Sequence, residues 1–405
     1  MPSLAELREQ EERTRFQRLH RDDARTKVGA ADLRELTEEL QGRIEGEVRF
    51  DAGSRALYAT DGSNYRQAPM GVVIPRTVDD IVATIAACRR HGAPVLPRGG
   101  GTSLAGQCCN AAVVIDASKY LRGVLKIDRQ RRLGTVQPGC VLDDLRHAAV
   151  PHGLTFGPDP ATPNHCVLGG MLGNNSCGIH SLLSAKHGLG LRTSDNTHSL
   201  EVLTYDGVRM RLGETPPDER VRILRAGGRR GEIYAGLQRL VDRYGDAIRK
   251  GFPKLPRRVS GYSIDALLPE NGFNVARAVV GSEGTLITIL EATLHLVPEP
   301  AARSLLVLGY PDVFSAGDHV TKILPLKPTG LEGIDHLLFH WIRAKGDKEA
   351  NLRTVAASVA EAAAQGADLV LLPEMVLTGF LPKDELHPLA ERRDGESVAA
   401  FRQMA

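Results

Sequence analysis

The chain has 405 residues, of which 42% are hydrophobic and 25% charged, and its formal net charge is +2. That length accommodates two or three domains with real cores. The near-neutral balance gives no electrostatic case for nucleic acid or an anionic membrane as partner, and no apolar run is long enough to span a bilayer.

Residues 1–45 read as helix. The opening MPSLAELREQEERTRFQRLHRDD is charged throughout and has no apolar signal core, which points to the cytoplasm. Leu33, Leu36, Leu40 and Ile44 then fall on one helical face. From Gly71 strands and helices alternate. The strand GVVIP leads to Thr77, a helix N-cap with Asp80 three residues on. The helix carries Ile81, Val82 and Ile85 and stops at Gly92. Next come the strand PVLP, a glycine loop and the strand VVIDAS. A hairpin, VLKID and LGTVQ around RQRR, precedes the helix VLDDLRHAAVPHG. The pattern is a β-α-β-type unit with additional strands.

After a loop-rich stretch, 157–199, a second hairpin joins SLEVLTY to VRMRL. Asp206-Gly207 suits a tight turn with both central residues at positive φ. A helix over 231–250 is expected to bury Ile233, Leu237, Leu240, Val241 and Tyr244. The strands AVVG and LITILEATLHLVP follow. Residues 304–335 read as strand, helix, strand (SLLVLGY, VFSAGDHVTKIL, GLEGID), the opening of another α/β domain. No two of the six cysteines are spaced C-x-x-C, so a zinc or iron–sulfur site has no ligand set, and reduced thiols are expected.

The stretch VLPRGGGTSLAGQ (95–107) matches neither the dinucleotide spacing G-x-G-x-x-G nor the nucleotide loop G-x-x-x-x-G-K-[ST]. It is one of four related segments, with GPDPAT (157–162), LGGMLGNNSCG (168–178) and VGSEGT (280–285). Glycine is kept where φ is positive or where a ligand lies against the backbone, and backbone N–H groups in such loops form anion-binding concavities. One such loop alone reads as a tight turn. Four in order, between strands, point to a long ligand with a diphosphate held along its length.

Together with RRVSGY (257–262), these segments resemble the FAD-binding domain of the p-cresol methylhydroxylase / vanillyl-alcohol oxidase type from about Gly71 to Pro298. Within it, the chain is most similar to the group of glycolate oxidase, D-lactate dehydrogenase and D-2-hydroxyglutarate dehydrogenase. The resemblance implies an α+β fold of two subdomains, about 71–199 and 200–298, with FAD between them. Residues 1–70 would be a helical extension and 299–340 the truncated start of a cap domain. By position, Arg98, Gly99, Gly100, Gly101, Thr102 and Ser103 would cradle the FAD diphosphate. Pro158 and Asp159 belong to the second loop. Gly169, Gly170, Asn174, Asn175, Ser176 and Gly178 would run beside the ribityl chain and ring, and Gly281, Glu283 and Gly284 would close the adenosine end. Members that tether FAD covalently carry histidine where this chain has Thr102, so non-covalent FAD is expected.

The implied reaction is oxidation of a small D-2-hydroxy acid such as D-lactate, glycolate or D-2-hydroxyglutarate. The C2 hydride goes to flavin N5, a base takes the hydroxyl proton, and an arginine holds the carboxylate. Arg257, Arg258 and Tyr262 are the substrate-side candidates; the two arginines read equally well as a solvated basic pair. The electron acceptor is not readable. Where the group runs from GNNSCGIHS into a short polar turn, this chain has LLSAKHGLGLRTSDN (182–196), expected to border the flavin.

The resemblance breaks at 338–346, before the cap region in which many members bind a metal. His336 and His340 could share a helix face, but no metal is expected there. Residues 346–380 read as a helix and the strand DLVLLPE, and resemble the start of a carbon–nitrogen hydrolase, with Glu374 in the place of its general base. That mechanism needs a lysine and a cysteine further on, so 346–405 is expected to be an α/β stub. The alternatives are an FAD-binding but catalytically incomplete fusion or truncated chain and, least favoured, a carbon–nitrogen hydrolase.

Overall fold

The computed structural model describes residues 30–337 and position 353. The first part of the expected N-terminal helix, the helix and strand of 346–380, His340 and Glu374 all lie outside the described residues. The helix Ala30–Arg43 buries Leu36 and Leu40 fully and leaves Leu33 and Ile44 half-buried.

Strands β1 (Glu47–Arg49), β2 (Gly71–Ile74), β3 (Val95–Arg98) and β4 (Val113–Asp116) form a sheet in the order β1-β2-β4-β3. The last three are parallel and β1 is antiparallel. Side chains alternate faces along a strand. Val73 and Val113 meet Leu36, Leu40 and Cys88 on one face, while Val72, Ile74 and Val114 meet Leu96 on the other. Both faces are covered, which is why β2 and β4 read as unbroken apolar runs.

The helix Val78–Arg90 begins at the expected capping box. Thr77 Oγ1 accepts from the Asp80 N–H at 3.1 Å, and Asp80 Oδ2 accepts from the Thr77 N–H at 3.2 Å. The buried Asp80 carboxylate also accepts from the N–H groups of Glu45 (3.0 Å) and Arg76 (2.8 Å), tying the chain before β1 to the helix.

A second, antiparallel sheet runs β5-β6-β10-β8-β9. Its strands are β5 (Val124–Asp128), β6 (Leu133–Val136), β8 (Thr197–Leu203), β9 (Arg209–Leu212) and β10 (Thr288–His295). The short β7 (Leu154–Thr155) pairs with β11 (Val297–Pro298). Leu200, Val202, Met210, Ala292 and Leu294 build the largest core with Tyr234, Val241 and Ile248. A smaller cluster joins the sheets, with Ile81, Ile85 and Ile115 against Leu203 and Leu290.

Several local expectations are corrected. In the β8–β9 hairpin only Gly207 has positive φ (92°). Bonds from the Gly207 N–H to Thr204 O (2.9 Å) and from the Thr204 N–H to Val208 O (3.0 Å) make a three-residue loop with a glycine bulge rather than a two-residue turn. The long helix spans Gly228–Gly251, and Gly245 takes the inward position expected of Tyr244. Tyr244 is 47% exposed, with the Arg243 guanidinium over its ring. AVVG is not a strand: Asn274 caps a short helix, Val275–Val279, by accepting from the Arg277 N–H at 3.0 Å. Within the loop-rich 157–199, Leu168–Asn174 and Ser181–Lys186 are helical. The glycines hid the helical spacing of Leu168, Met171 and Leu172, all buried.

The described chain falls into two compact units, one reaching Leu305 and including Lys327–Leu331, the other comprising Leu306–Leu326 and the residues from Glu332. In the second, Val313–Ile323 is helical as expected, with Asp312 accepting from the Ser315 N–H at 2.7 Å. SLLVLGY and GLEGID form no strand; Leu306 and Val307 are about four-fifths exposed (78% and 81%). No helix among the described residues is long and apolar enough to cross a membrane.

Candidate functional site

A cavity of about 300 Å³ lies in the first unit where the glycine-rich loops converge. Gly99 to Ser103 leave the end of β3, and Leu168–Asn174 approaches them from another part of the chain. A Cβ on Gly99 would lie 3.0 Å from the Gly170 Cα, and one on Gly100 only 2.3 Å from the His165 carbonyl oxygen. Only glycine permits that approach of two backbones. The turn Gly281–Gly284 is held to the same helix by bonds from the Gly281 N–H to Leu172 O (2.9 Å) and from the Glu283 N–H to Gly173 O (3.0 Å).

Among the described residues, no protein hydrogen bond takes up the N–H groups of Gly100, Gly101, Thr102 and Ser103. These four residues line the cavity, and Ile81, Leu96, Ile115, Val167 and Ile287 supply it with an apolar wall. Glu283 also lines it, and burial pushes its carboxyl above the usual range.

Of the expected cofactor residues, Arg98, Gly99, Gly100, Gly101, Thr102, Ser103, Gly169, Gly170, Asn174, Ser176, Glu283 and Gly284 line the cavity. Pro158, Asp159, Asn175, Gly178 and Gly281 do not. The Arg98 guanidinium is committed elsewhere: Nη1 donates to Tyr58 O and Cys108 O (both 3.1 Å) and Nη2 to Thr60 O (2.8 Å). Its side chain shapes the loop, so a diphosphate would meet backbone here. Asn175 is a helix C-cap at φ 56°, fully buried, with Oδ1 accepting from the Ser194 N–H at 2.9 Å and Nδ2 without a partner. Gly178 is required by packing, because a Cβ there would fall 1.4 Å from Asp159 O.

The substrate-side candidates lie off the cavity wall. Arg258 is 11% exposed, its Nη2 donates to Asp265 Oδ1 at 2.5 Å, and its guanidinium stacks over Phe252 at 4.4 Å. Its charge and its face are both used within the protein. Arg257 Nε donates to Cys177 Sγ at 3.2 Å, and the Tyr262 hydroxyl lies 2.8 Å from Thr285 Oγ1. The segment 182–196 contributes nothing to the cavity wall. It lies behind the wall, with Thr193 N–H and Oγ1 donating to Ser176 O at 2.9 and 2.7 Å.

Sequence reasoning missed the loop 58–66, which fastens the glycine loop from outside. The Gly62 N–H donates to Gly101 O at 2.8 Å, and Asp61 Oδ2 accepts from the Cys108 N–H at 3.2 Å. The turn-forming DGSN at 61–64 was the only available signal, and nothing in it names its partner. Pro160, Ala161 and Thr162 of the GPDPAT segment are on the wall, and Pro138 and Cys108, also on it, were missed.

Residues 69–213 match the FAD binding domain family, and residues 340–405, of which only position 353 is described, match the carbon-nitrogen hydrolase family. The chain is 32% identical over 317 residues to a D-2-hydroxyglutarate dehydrogenase of Pseudomonas putida, covering 76% of this chain and 31% of that protein. It is 29% identical over 299 residues to the glycolate oxidase protein GlcD of Bacillus subtilis, covering 72% of this chain and 52% of that protein. A solved alkyldihydroxyacetonephosphate synthase superposes with a TM-score of 0.50 at 19% identity, covering 73% of this chain and 46% of its own, a likeness of fold.

Proposed function

We infer that this chain, which carries an FAD binding domain at residues 69–213, is an FAD-dependent oxidoreductase acting on a small D-2-hydroxy acid. The observation that carries the reading is the cavity itself, where four distant segments meet as backbone around one space. The residues fit the cofactor. Open N–H groups at Gly100 to Ser103 suit a diphosphate, the Gly99–Gly170 approach admits a chain lying against backbone, and the apolar wall suits a flat ring. Bound FAD would supply a two-electron acceptor for the hydride of an alcohol carbon.

The protein's own residues hold and orient. Thr102 lines the cavity where a tether would need an imidazole, so FAD is held without a covalent bond. Arg257, whose guanidinium rests on the Cys177 thiol, is the remaining candidate for the substrate carboxylate, since Arg258 is fully engaged. Similarity to the two named relatives, of whose lengths the chain spans 31% and 52%, supports the substrate class.

The test is the visible spectrum of purified protein freed of loose flavin. A yellow protein whose colour passes into solution on acid precipitation, and which bleaches anaerobically with D-lactate, glycolate or D-2-hydroxyglutarate, is expected. A folded, flavin-free protein refutes the reading; flavin that no such acid reduces leaves the chain an FAD-binding protein without this activity.

A further inference from the structure

Of the residues on the wall of the cofactor cavity, only Arg98 and Glu283 are of a type that carries charge at neutral pH. The Arg98 guanidinium is spent on the carbonyls of Tyr58, Thr60 and Cys108. Glu283 is in the opposite condition. Among the described residues its carboxyl has no hydrogen-bond or ion-pair partner, and no neighbouring charge acts on it. The wall thus holds one carboxyl that nothing in the protein answers.

Its place is fixed by the backbone. Glu283 has φ 51°, in the left-handed region that side chains seldom adopt, between Gly281 at φ 90° and Gly284 at φ 74°. The Glu283 N–H donates to Gly173 O at 3.0 Å, and the Thr285 N–H closes the turn on Ser282 O at 2.9 Å. A Cβ on Gly284 would lie 3.2 Å from Pro97 Cδ, so the turn rests against the root of the glycine loop. Such strain persists where surrounding structure enforces it, and it clusters at ligand sites.

FAD brings a diphosphate with two negative charges into this cavity. An ionised carboxylate there is repelled, and the wall has no uncommitted cation to offset it. A protonated carboxyl removes the like charge and gains an O–H donor. Burial already pushes the Glu283 carboxyl up, and a ligand filling the cavity takes more water from it. We propose that Glu283 meets FAD as a neutral carboxylic acid, donating a hydrogen bond to it, and that the cofactor therefore binds with uptake of a proton. This rests on the cavity being the FAD site inferred above and not on the choice of substrate. The other charged or titratable groups around the turn are Arg98, Cys108 and Cys166 on the wall, Arg277, which pairs with Asp195, and Tyr262, which is bonded to Thr285.

The experiment measures free flavin after ultrafiltration of diluted holoprotein, for the parent and for Glu283→Gln, from about pH 5 to about pH 9. FAD has no group of its own that titrates near neutral pH. The parent's affinity should fall by up to about tenfold per pH unit as pH rises through the value of Glu283 in the flavin-free protein. Glu283→Gln, which keeps a neutral donor, should show no such slope and should hold FAD at least about tenfold more tightly than the parent at the alkaline end. Independently of any variant, calorimetric titration of the flavin-freed parent with FAD in two buffers of different ionisation heat should show up to about one proton taken up per FAD. Binding without uptake, or with release, overturns the proposal, as does a Gln variant with the parent's slope. A folded Gln variant that loses FAD at every pH also overturns it, because the cofactor then needs the ionised carboxylate. A parent that binds no FAD at any pH overturns this proposal and the cofactor site together, whereas FAD bound with equal affinity at every pH overturns this proposal alone.

Discussion

Two regions of the first unit carry conspicuous sequence, and they are built on opposite principles. The cavity is made of main chain: Gly99 to Ser103, Gly169 to Gly173 and Ser282 to Gly284 present backbone to a common space. The neighbouring ionic network, Arg192, Arg258 and Arg277 with Asp195 and Asp265, is made of paired side chains, with Arg277 Nε its one buried donor without a partner among the described residues. The first leaves backbone donors without protein partners, whereas the second pairs its charges. An arginine-rich motif therefore says less about ligands than a glycine-rich one, because a guanidinium can be consumed by any carboxylate that folding brings near.

The sharpest way to break this contrast is to add one carbon chain to the cavity. Gly100→Val places a Cβ 2.3 Å from the His165 carbonyl, a backbone atom that cannot swing aside. The expected result is a folded protein whose FAD affinity falls at least about 1000-fold, or about 4 kcal/mol, read by flavin-to-protein absorbance and by titration. Retained flavin would mean that the cavity is not the cofactor site.

The converse experiment removes a charge from the network. Burial pushes the Asp195 carboxyl up, but bonds from Arg192 and the charges of Arg192 and Arg277 outweigh this and leave it below the usual carboxylate range. A depressed folded value means stability that is full above the unfolded value, about 4, and is lost as pH falls through the folded one. Asp195→Asn should cost about 3 kcal/mol at neutral pH, because two guanidinium groups lose their partner. Denaturant curves should show the gap from the parent constant above about pH 5 and shrinking below about pH 4. A gap that grows on acidification contradicts the assignment.

Smaller again is Arg258→Ala, which loses the Asp265 bond and the face of Phe252. About 2 kcal/mol of unfolding free energy should go, with flavin content unchanged. Loss of flavin without loss of stability would return Arg258 to the ligand side.

How much could be read in advance follows the same division. Capping at Thr77 and Asp80, the apolar runs of β2 and β4 and the glycine loops are local signals, and each is found where the residues put it. Two arginines have partners that the local pattern does not mark. Arg98 lies in the right loop, yet its charge is taken by carbonyls of residues 58 and 60, some forty positions earlier. Arg258 meets Asp265 through a turn that no periodicity announces. In LGGMLGNN the local pattern misleads: its glycines argue against helix by propensity, but Leu168, Met171 and Leu172 bury one face, and tertiary packing prevails.

The smallest expected effect locates the cofactor most finely. All six cysteines are free. Burial pushes the thiols of Cys88 and Cys140 up to about 12 and that of Cys166 to about 11. The thiolate is the reactive form, so these three should resist alkylation at pH 8; of the half-buried Cys108, Cys109 and Cys177, Cys109 should react slowly, because burial pushes its thiol up as well. Among those three only Cys108 lines the cavity, with its Sγ 3.4 Å from Ser103 Oγ. Saturating FAD should slow its labelling about tenfold by occupying that wall, and should change Cys109 and Cys177 less than about twofold, as followed by peptide mass spectrometry. If Cys177 were protected in place of Cys108, the cofactor would lie on the side of Arg257, and the division between a backbone-built cofactor site and a side-chain-built flank would have to be redrawn.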